Sequence, residues 1–100
     1  MRKPFALANW KMAMTIAETR DFIRRFLPLV EGLAERVDIV ICPPFTALYV
    51  ASLELEGSGV QLGAQNLHPG PGLAWTGEIS AQLLADVGCR WVMLGHWERR

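Results

Sequence analysis

The chain has 100 residues, and its ten Lys plus Arg balance ten Asp plus Glu, for a formal net charge of zero. Removing the one tyrosine from the 51 apolar residues and adding the nine glycines gives 59 per hundred, above the roughly 45–50% of soluble domains, which excludes a disordered chain. The neutral balance lacks the basic excess of a nucleic-acid binder, and no apolar run approaches the ~20 residues of a membrane span.

The first predicted element is a short strand, Phe5-Ala6-Leu7-Ala8, apolar throughout and read as buried, ending in polar Asn9 and Lys11. Those two polar residues also interrupt the apolar run behind Met1-Arg2-Lys3, so a signal peptide is not expected. Thr15 and Glu18 have capping-box spacing, and Phe22, Ile23, Phe26, Val30 and Leu33 recur at helical intervals behind them. Pro28 lies inside that pattern without an N–H to donate, which predicts a kink or a restart. A second strand runs from Val37 to Cys42 and stops at Pro43-Pro44.

A shorter helix is predicted from about Thr46 to Leu55, closed by Gly57-Ser58-Gly59, and a third strand from Val60 to Ala64. The Pro- and Gly-rich stretch from Asn66 to about Gly77 reads as loop, with His68 expected at its surface. Ser80 is placed to cap a third helix, Ile79 and Leu84 to form its hydrophobic staple, and Gly88 to close it. Trp91-Val92-Met93-Leu94-Gly95 is the fourth predicted strand, again read as buried. Cys42 and Cys89 lack any CxxC or Cys/His spacing, which predicts two small core residues in a reduced, cytoplasmic chain with no metal site.

Apolar strands alternating with helices predict an α/β fold of parallel (β/α) units, four strands and three helices, ordered 1-2-3-4. Ligands of such sheets bind at the carboxyl ends of the strands. The polar residues expected there are Asn9 and Lys11, then Gln65 and Asn66, then His96 and Glu98. A lysine is a compact cation suited to a phosphorylated small molecule, and histidine is the commonest general acid or base. GxGxxG, Walker and GxSxG sequences are all missing.

Five ordered segments resemble the triosephosphate isomerase family: Ala8-Asn9-Trp10-Lys11-Met12, Cys42-Pro43-Pro44-Phe45-Thr46-Ala47-Leu48, Gly63-Ala64-Gln65-Asn66, Trp75-Thr76-Gly77-Glu78-Ile79-Ser80 and Leu94-Gly95-His96-Trp97-Glu98-Arg99-Arg100. The resemblance implies the amino-terminal portion of a (β/α)8 barrel through its fourth strand, a half TIM barrel of about 250 residues when whole. It also implies interconversion of dihydroxyacetone phosphate and glyceraldehyde 3-phosphate through an enediolate, a step of glycolysis and gluconeogenesis, without metal or cofactor. Asn9 and Lys11 would bind the phosphorylated substrate, with Lys11 offsetting its charge. His96 would be the neutral electrophile, a role that belongs to the family and is not read from spacing. Glu98 would position Lys11, with Gln65 and Asn66 supporting the rim. The loop from Leu67 to Ile79, carrying Trp75 and Thr76, would dock into a neighbouring subunit of a homodimer. No membrane or nucleic-acid partner is implied.

Three departures bear on activity. The family's general base, a glutamate after the sixth strand, and its later phosphate loops match nothing in these residues, so the hundred residues alone are expected to be inactive. Trp97 stands where the family has a serine, exchanging a hydroxyl for a bulky indole with one donor. Ala8 replaces the usual glycine. Two alternatives remain open. One is a half-barrel that self-associates or pairs with a complementary barrel half; the other is a binding module for a phosphorylated ligand.

Overall fold

The computed structural model describes residues 3–99, with Trp97 described by its backbone alone. Four strands, β1 (Phe5–Asn9), β2 (Asp38–Cys42), β3 (Gln61–Ala64) and β4 (Cys89–Val92), form one parallel sheet in the order β1-β2-β3-β4. Three helices, α1 (Ile16–Phe26), α2 (Leu48–Leu55) and α3 (Ala81–Asp86), alternate with them. Sequence order equals spatial order, as short βαβ crossovers require.

The helix boundaries have local causes. Thr15 accepts from the Glu18 N–H at 3.2 Å, and Glu18 accepts from the Thr15 N–H at 2.9 Å, so the capping box satisfies two donors reciprocally. At the other end the α-helix stops at Phe26 and tightens into a 3-10 turn, Leu27–Val30, in which Pro28 supplies no N–H. The Ser80 side chain caps α3 by accepting from the Leu83 N–H at 3.2 Å, and Gly88 follows that helix at φ 102°. Ile79 and Leu84 both join the core, in keeping with the staple expected there.

The core lies between sheet and helices. Ile39, Ile41, Leu62 and Ala64 of the sheet meet Ile23, Leu48, Ala51, Leu55 and Leu84 of the helices. Each large side chain buried there contributes about 1.5–3 kcal/mol through removal of apolar area from water. Arg24 grips Glu54 with two hydrogen bonds, of 2.9 and 3.1 Å, tying α1 to α2. Water screens a pair at that exposure, so its contribution to stability is small.

The opposite face of the sheet is concave. Val40, Cys42, Gly63 and Trp91 share it, since a Cβ on Gly63 would stand 2.7 Å from Cys42 Sγ, 3.1 Å from Val40 Cγ1 and 3.3 Å from Trp91 Cβ. Phe5 and Trp91 belong to the two outermost strands, yet their rings meet edge to face at 4.9 Å between centroids. The sheet therefore curls enough to bring its first and last strands together across the hollow. A polar chain follows that curve: Trp91 donates to Gln61 at 2.6 Å, Gln61 donates to Asp38 at 3.2 Å, and Lys3 lies 3.6 Å from Asp38.

Two expectations need correction here. The first and fourth strands are not buried: Phe5 is 48% and Trp91 40% exposed, because both are edge strands with no further strand among the described residues beyond them. β4 also begins at Cys89 and ends at Val92, two residues ahead of the predicted Trp91 start and three short of Gly95. Its pairing shifts by one residue between Leu62 and Gly63, and past Val92 one backbone bond, Met93 N–H to Ala64 O at 2.9 Å, continues toward β3. β3 itself stops at Ala64, so β4 runs out of partner.

Candidate active site

The carboxyl ends of the strands meet at one rim. β1 and β2 pair level at Asn9 and Cys42, and the next residue on, Trp10, donates its N–H to the Cys42 carbonyl at 3.1 Å. The chain then turns sharply. Lys11 sits at φ 52°, a left-handed conformation unusual for a residue with a Cβ, and Asn9 Oδ1 holds it by accepting the Lys11 N–H at 2.9 Å. Strain of this kind persists where surrounding bonds over-determine the backbone, and it clusters at functional sites.

Gln65, the first residue beyond β3, supplies those surrounding bonds. Its side-chain amide donates to the Lys11 carbonyl at 2.6 Å and to the Cys42 carbonyl at 2.9 Å, linking the ends of three strands. Its own carbonyl faces His96 Nε2. A carbonyl oxygen only accepts, so the nitrogen facing it carries the proton. Glu98, in the 3-10 turn Trp97–Arg99, places its carboxylate 4.0 Å from Lys11 Nζ.

These groups surround a cavity of about 490 Å³ lined by Asn9, Lys11, Gln65, Asn66, His96 and Glu98. All six rim residues expected from the sequence are thus brought together. Phe45, Met12 and Arg99 line the same cavity and were missed as site residues. Phe45 was legible in principle, because it follows the Pro43-Pro44 stop of β2 at the same end of the sheet. Trp75 and Thr76 are not part of this cavity; they lie on the exposed loop before α3. The side chain of Trp97, the departure noted from the sequence, lies outside the described residues.

A larger hollow of about 630 Å³ opens at the other end of the sheet, between the end of α2 and the start of β4. Arg90 and Glu56 are its charged lining residues, alongside Ser52 and three glycines, and it holds no histidine or lysine. The chemistry therefore favours the smaller cavity, where a lysine, a histidine and three amides converge. Among the described residues, both cysteines are free thiols, and burial pushes each up to about 11, Cys42 adding a smaller like-charge effect on Cys89. They offer no nucleophile to this site. No helix among the described residues is long and apolar enough to cross a membrane.

Known proteins share this sequence and this architecture. The triosephosphate isomerase family profile matches residues 4–100. The chain is similar to the triosephosphate isomerase of Aquifex aeolicus, 54% identical over 100 residues that make up all of this chain and 40% of that protein. The triosephosphate isomerase of Symbiobacterium thermophilum is 53% identical over the same 100 residues, which are 39% of its length. The crystal structure of triosephosphate isomerase from Bartonella henselae superposes with a TM-score of 0.86 at 36% identity, covering 99% of this chain and 40% of that one. The chain thus spans about 40% of the length of the relatives it matches. In its sequence and in its parallel α/β architecture, the chain belongs to the triosephosphate isomerase family.

Proposed function

We propose that residues 1–100 form the amino-terminal part of a (β/α)8 barrel. In that barrel they supply the substrate-binding and electrophilic half of a site that interconverts dihydroxyacetone phosphate and glyceraldehyde 3-phosphate. The observation that carries this reading is the convergence of Asn9, Lys11 and His96 on one cavity of about 490 Å³ at the carboxyl ends of the strands. Lys11 Nζ offsets the substrate's negative charge and stabilises the charge that develops on oxygen in the enediolate. Glu98 limits where that ammonium can go, and Gln65 fixes the backbone that carries it.

His96 presents a proton on Nε2 to the Gln65 carbonyl. Polarising a substrate carbonyl needs that same N–H, so the ring exchanges the Gln65 oxygen for the substrate oxygen when the cavity fills. An imidazole that donates from one nitrogen can shuttle a proton between the two substrate oxygens. Removing the carbon-bound proton needs a separate base, and Glu98, held beside Lys11, does not match the family's base glutamate. These hundred residues by themselves therefore do not turn over substrate.

The test is turnover of glyceraldehyde 3-phosphate by the purified hundred-residue chain and its His96→Gln variant. No turnover above the buffer rate is expected from either, and histidine-dependent turnover by the chain alone would overturn the division of roles. Joined to the carboxyl-terminal part of a relative, the chain should turn over, and Lys11→Ala should abolish that activity.

A second reading is favoured by the concave face, where Phe5, Leu7 and Trp91 are 48%, 39% and 40% exposed. Apolar surface of this kind recruits partners. Without a closing half the chain then associates with a second copy of itself, and a monomeric mass at micromolar concentration would exclude this.

A further inference from the structure

The loop between β3 and α3 has an interior of its own. The His68 and Trp75 rings lie against each other, centroids 4.1 Å apart and planes inclined by 35°. Three hydrogen bonds close the loop around them. The His68 N–H donates to the Ile79 carbonyl at 2.8 Å, the Trp75 indole N–H to the Pro71 carbonyl at 3.0 Å, and the Glu78 N–H to the Trp75 carbonyl at 2.9 Å. His68 was expected at the surface, yet its Nε2 is buried and has no hydrogen-bond partner among the described residues. Gly70 makes the room: a Cβ there would stand 2.7 Å from that nitrogen. Meanwhile Leu73, at the turn of the loop, is fully exposed, so the loop's order does not come from packing its tip onto the body of the fold.

We propose that the His68–Trp75 pair is an internal brace that folds the 68–79 loop within a single chain, and that Gly70 is the cradle that lets the imidazole reach the indole. A buried ring nitrogen without a partner contributes nothing by hydrogen bonding. His68 acts through the shape and π-face of its ring, so a phenyl ring serves equally well. Aromatic pairs stabilise beyond the area they bury, because the ring faces and edges carry complementary charge. In a loop that otherwise has three backbone-directed bonds, that is enough to set its local opening equilibrium. The proposal deepens the reading of this loop as the segment that meets a neighbouring subunit, since the brace presents Trp75 and Thr76 already ordered, but the brace itself needs no partner.

Hydrogen exchange followed by NMR tests it. The reporters are the Trp75 indole N–H and the amide at position 68, each read relative to the Val40 amide at the centre of the sheet, so that global unfolding cancels. His68→Ala is expected to speed both reporters roughly tenfold, from loss of the stacked ring. Gly70→Ala should act in the same direction, because the imidazole must swing off the indole to clear the methyl group. His68→Phe should leave both reporters within about twofold of the parent, since the ring shape is kept and no hydrogen bond is lost. The proposal is overturned if His68→Ala leaves the reporters unchanged, or if His68→Phe speeds them as much as His68→Ala does. The loop's role between subunits is read separately, from the concentration dependence of the solution mass of the same variants. A loosened loop with unchanged association leaves the brace standing and removes the inter-subunit reading.

Discussion

Gly63 sits at the tightest point of the concave face, and replacing it by alanine gives a prediction that can be worked from distances. Gly63 is not among the glycines with positive φ, so alanine meets no left-handed backbone penalty there. It gains about 0.4–1 kcal/mol by restricting the unfolded chain. Against this, the new methyl would lie 2.7 Å from Cys42 Sγ, 3.1 Å from Val40 Cγ1 and 3.3 Å from Trp91 Cβ. Cys42 and Val40 are both fully buried, so neither sulfur nor methyl can swing into solvent to make way. Overpacking of this kind costs about 1–3 kcal/mol. The cost exceeds the gain, and Gly63→Ala should lose about 1–2 kcal/mol, read as a urea midpoint lowered by roughly 0.5–1 M. The 2.7 Å contact identifies which neighbour is responsible. Cys42→Ala removes that atom and by itself costs about 1 kcal/mol for the lost buried sulfur. In its background the remaining contacts need only a few tenths of an ångström of relief, so Gly63→Ala becomes neutral or mildly stabilising. A double-mutant cycle should therefore give a coupling of about 1–2 kcal/mol. A neutral single Gly63→Ala variant, or a cycle with no coupling, would refute the claim that Cys42 and Gly63 pack face to face.

Other residues give sharper single tests. Met14 adopts φ 82° with a full side chain, so Met14→Gly should stabilise the chain by about 0.5–1 kcal/mol once glycine's extra unfolded freedom is subtracted; a loss of stability would show that the Met14 side chain is held by packing. Thr15→Ala removes the α1 cap and should cost about 1 kcal/mol. The Glu18 carboxyl is held below the usual carboxylate range chiefly by the Thr15 backbone N–H, then by its hydroxyl. The stability this contributes is complete above the unfolded carboxylate value and lost as pH falls through the lower folded one, so the gap between parent and Glu18→Ala, which removes the titrating group itself, should narrow below about pH 4. Burial pushes Cys42 and Cys89 up to about 11, which leaves roughly 100-fold less thiolate at pH 8 than an ordinary cysteine. Alkylation of both should be slower by at least that factor until denaturant is added; rapid labelling of the native chain would contradict their placement.

Much of the secondary structure was legible because its causes are local. The capping box is a four-residue event, Pro28 stops an α-helix wherever it falls, and Pro43-Pro44 ends β2 with no help from distant residues. The motif residues also pointed to one end of the sheet, since in parallel (β/α) units every strand delivers its carboxyl end to the same side. The gathering of Asn9, Lys11, Gln65, Asn66, His96 and Glu98 around one cavity follows that logic. The length and extent of β4 were not legible, because a strand ends where its neighbour ends, and β3 stops at Ala64.

Composition and pattern by themselves determined the class: neutral, apolar-rich, four strands alternating with three helices in parallel order. Tertiary structure decided what each residue does within that class. It showed that the apolar runs of β1 and β4 are partly exposed edges, joined to each other by Phe5 and Trp91. It turned His68 from a surface residue into the inside of a loop. It also made Gln65 the joint between Lys11, Cys42 and His96, residues 54, 23 and 31 positions away in the chain. Periodicity reports which side of an element avoids water, whereas partners so far apart in sequence are fixed only when the sheet curls and brings the strand ends together.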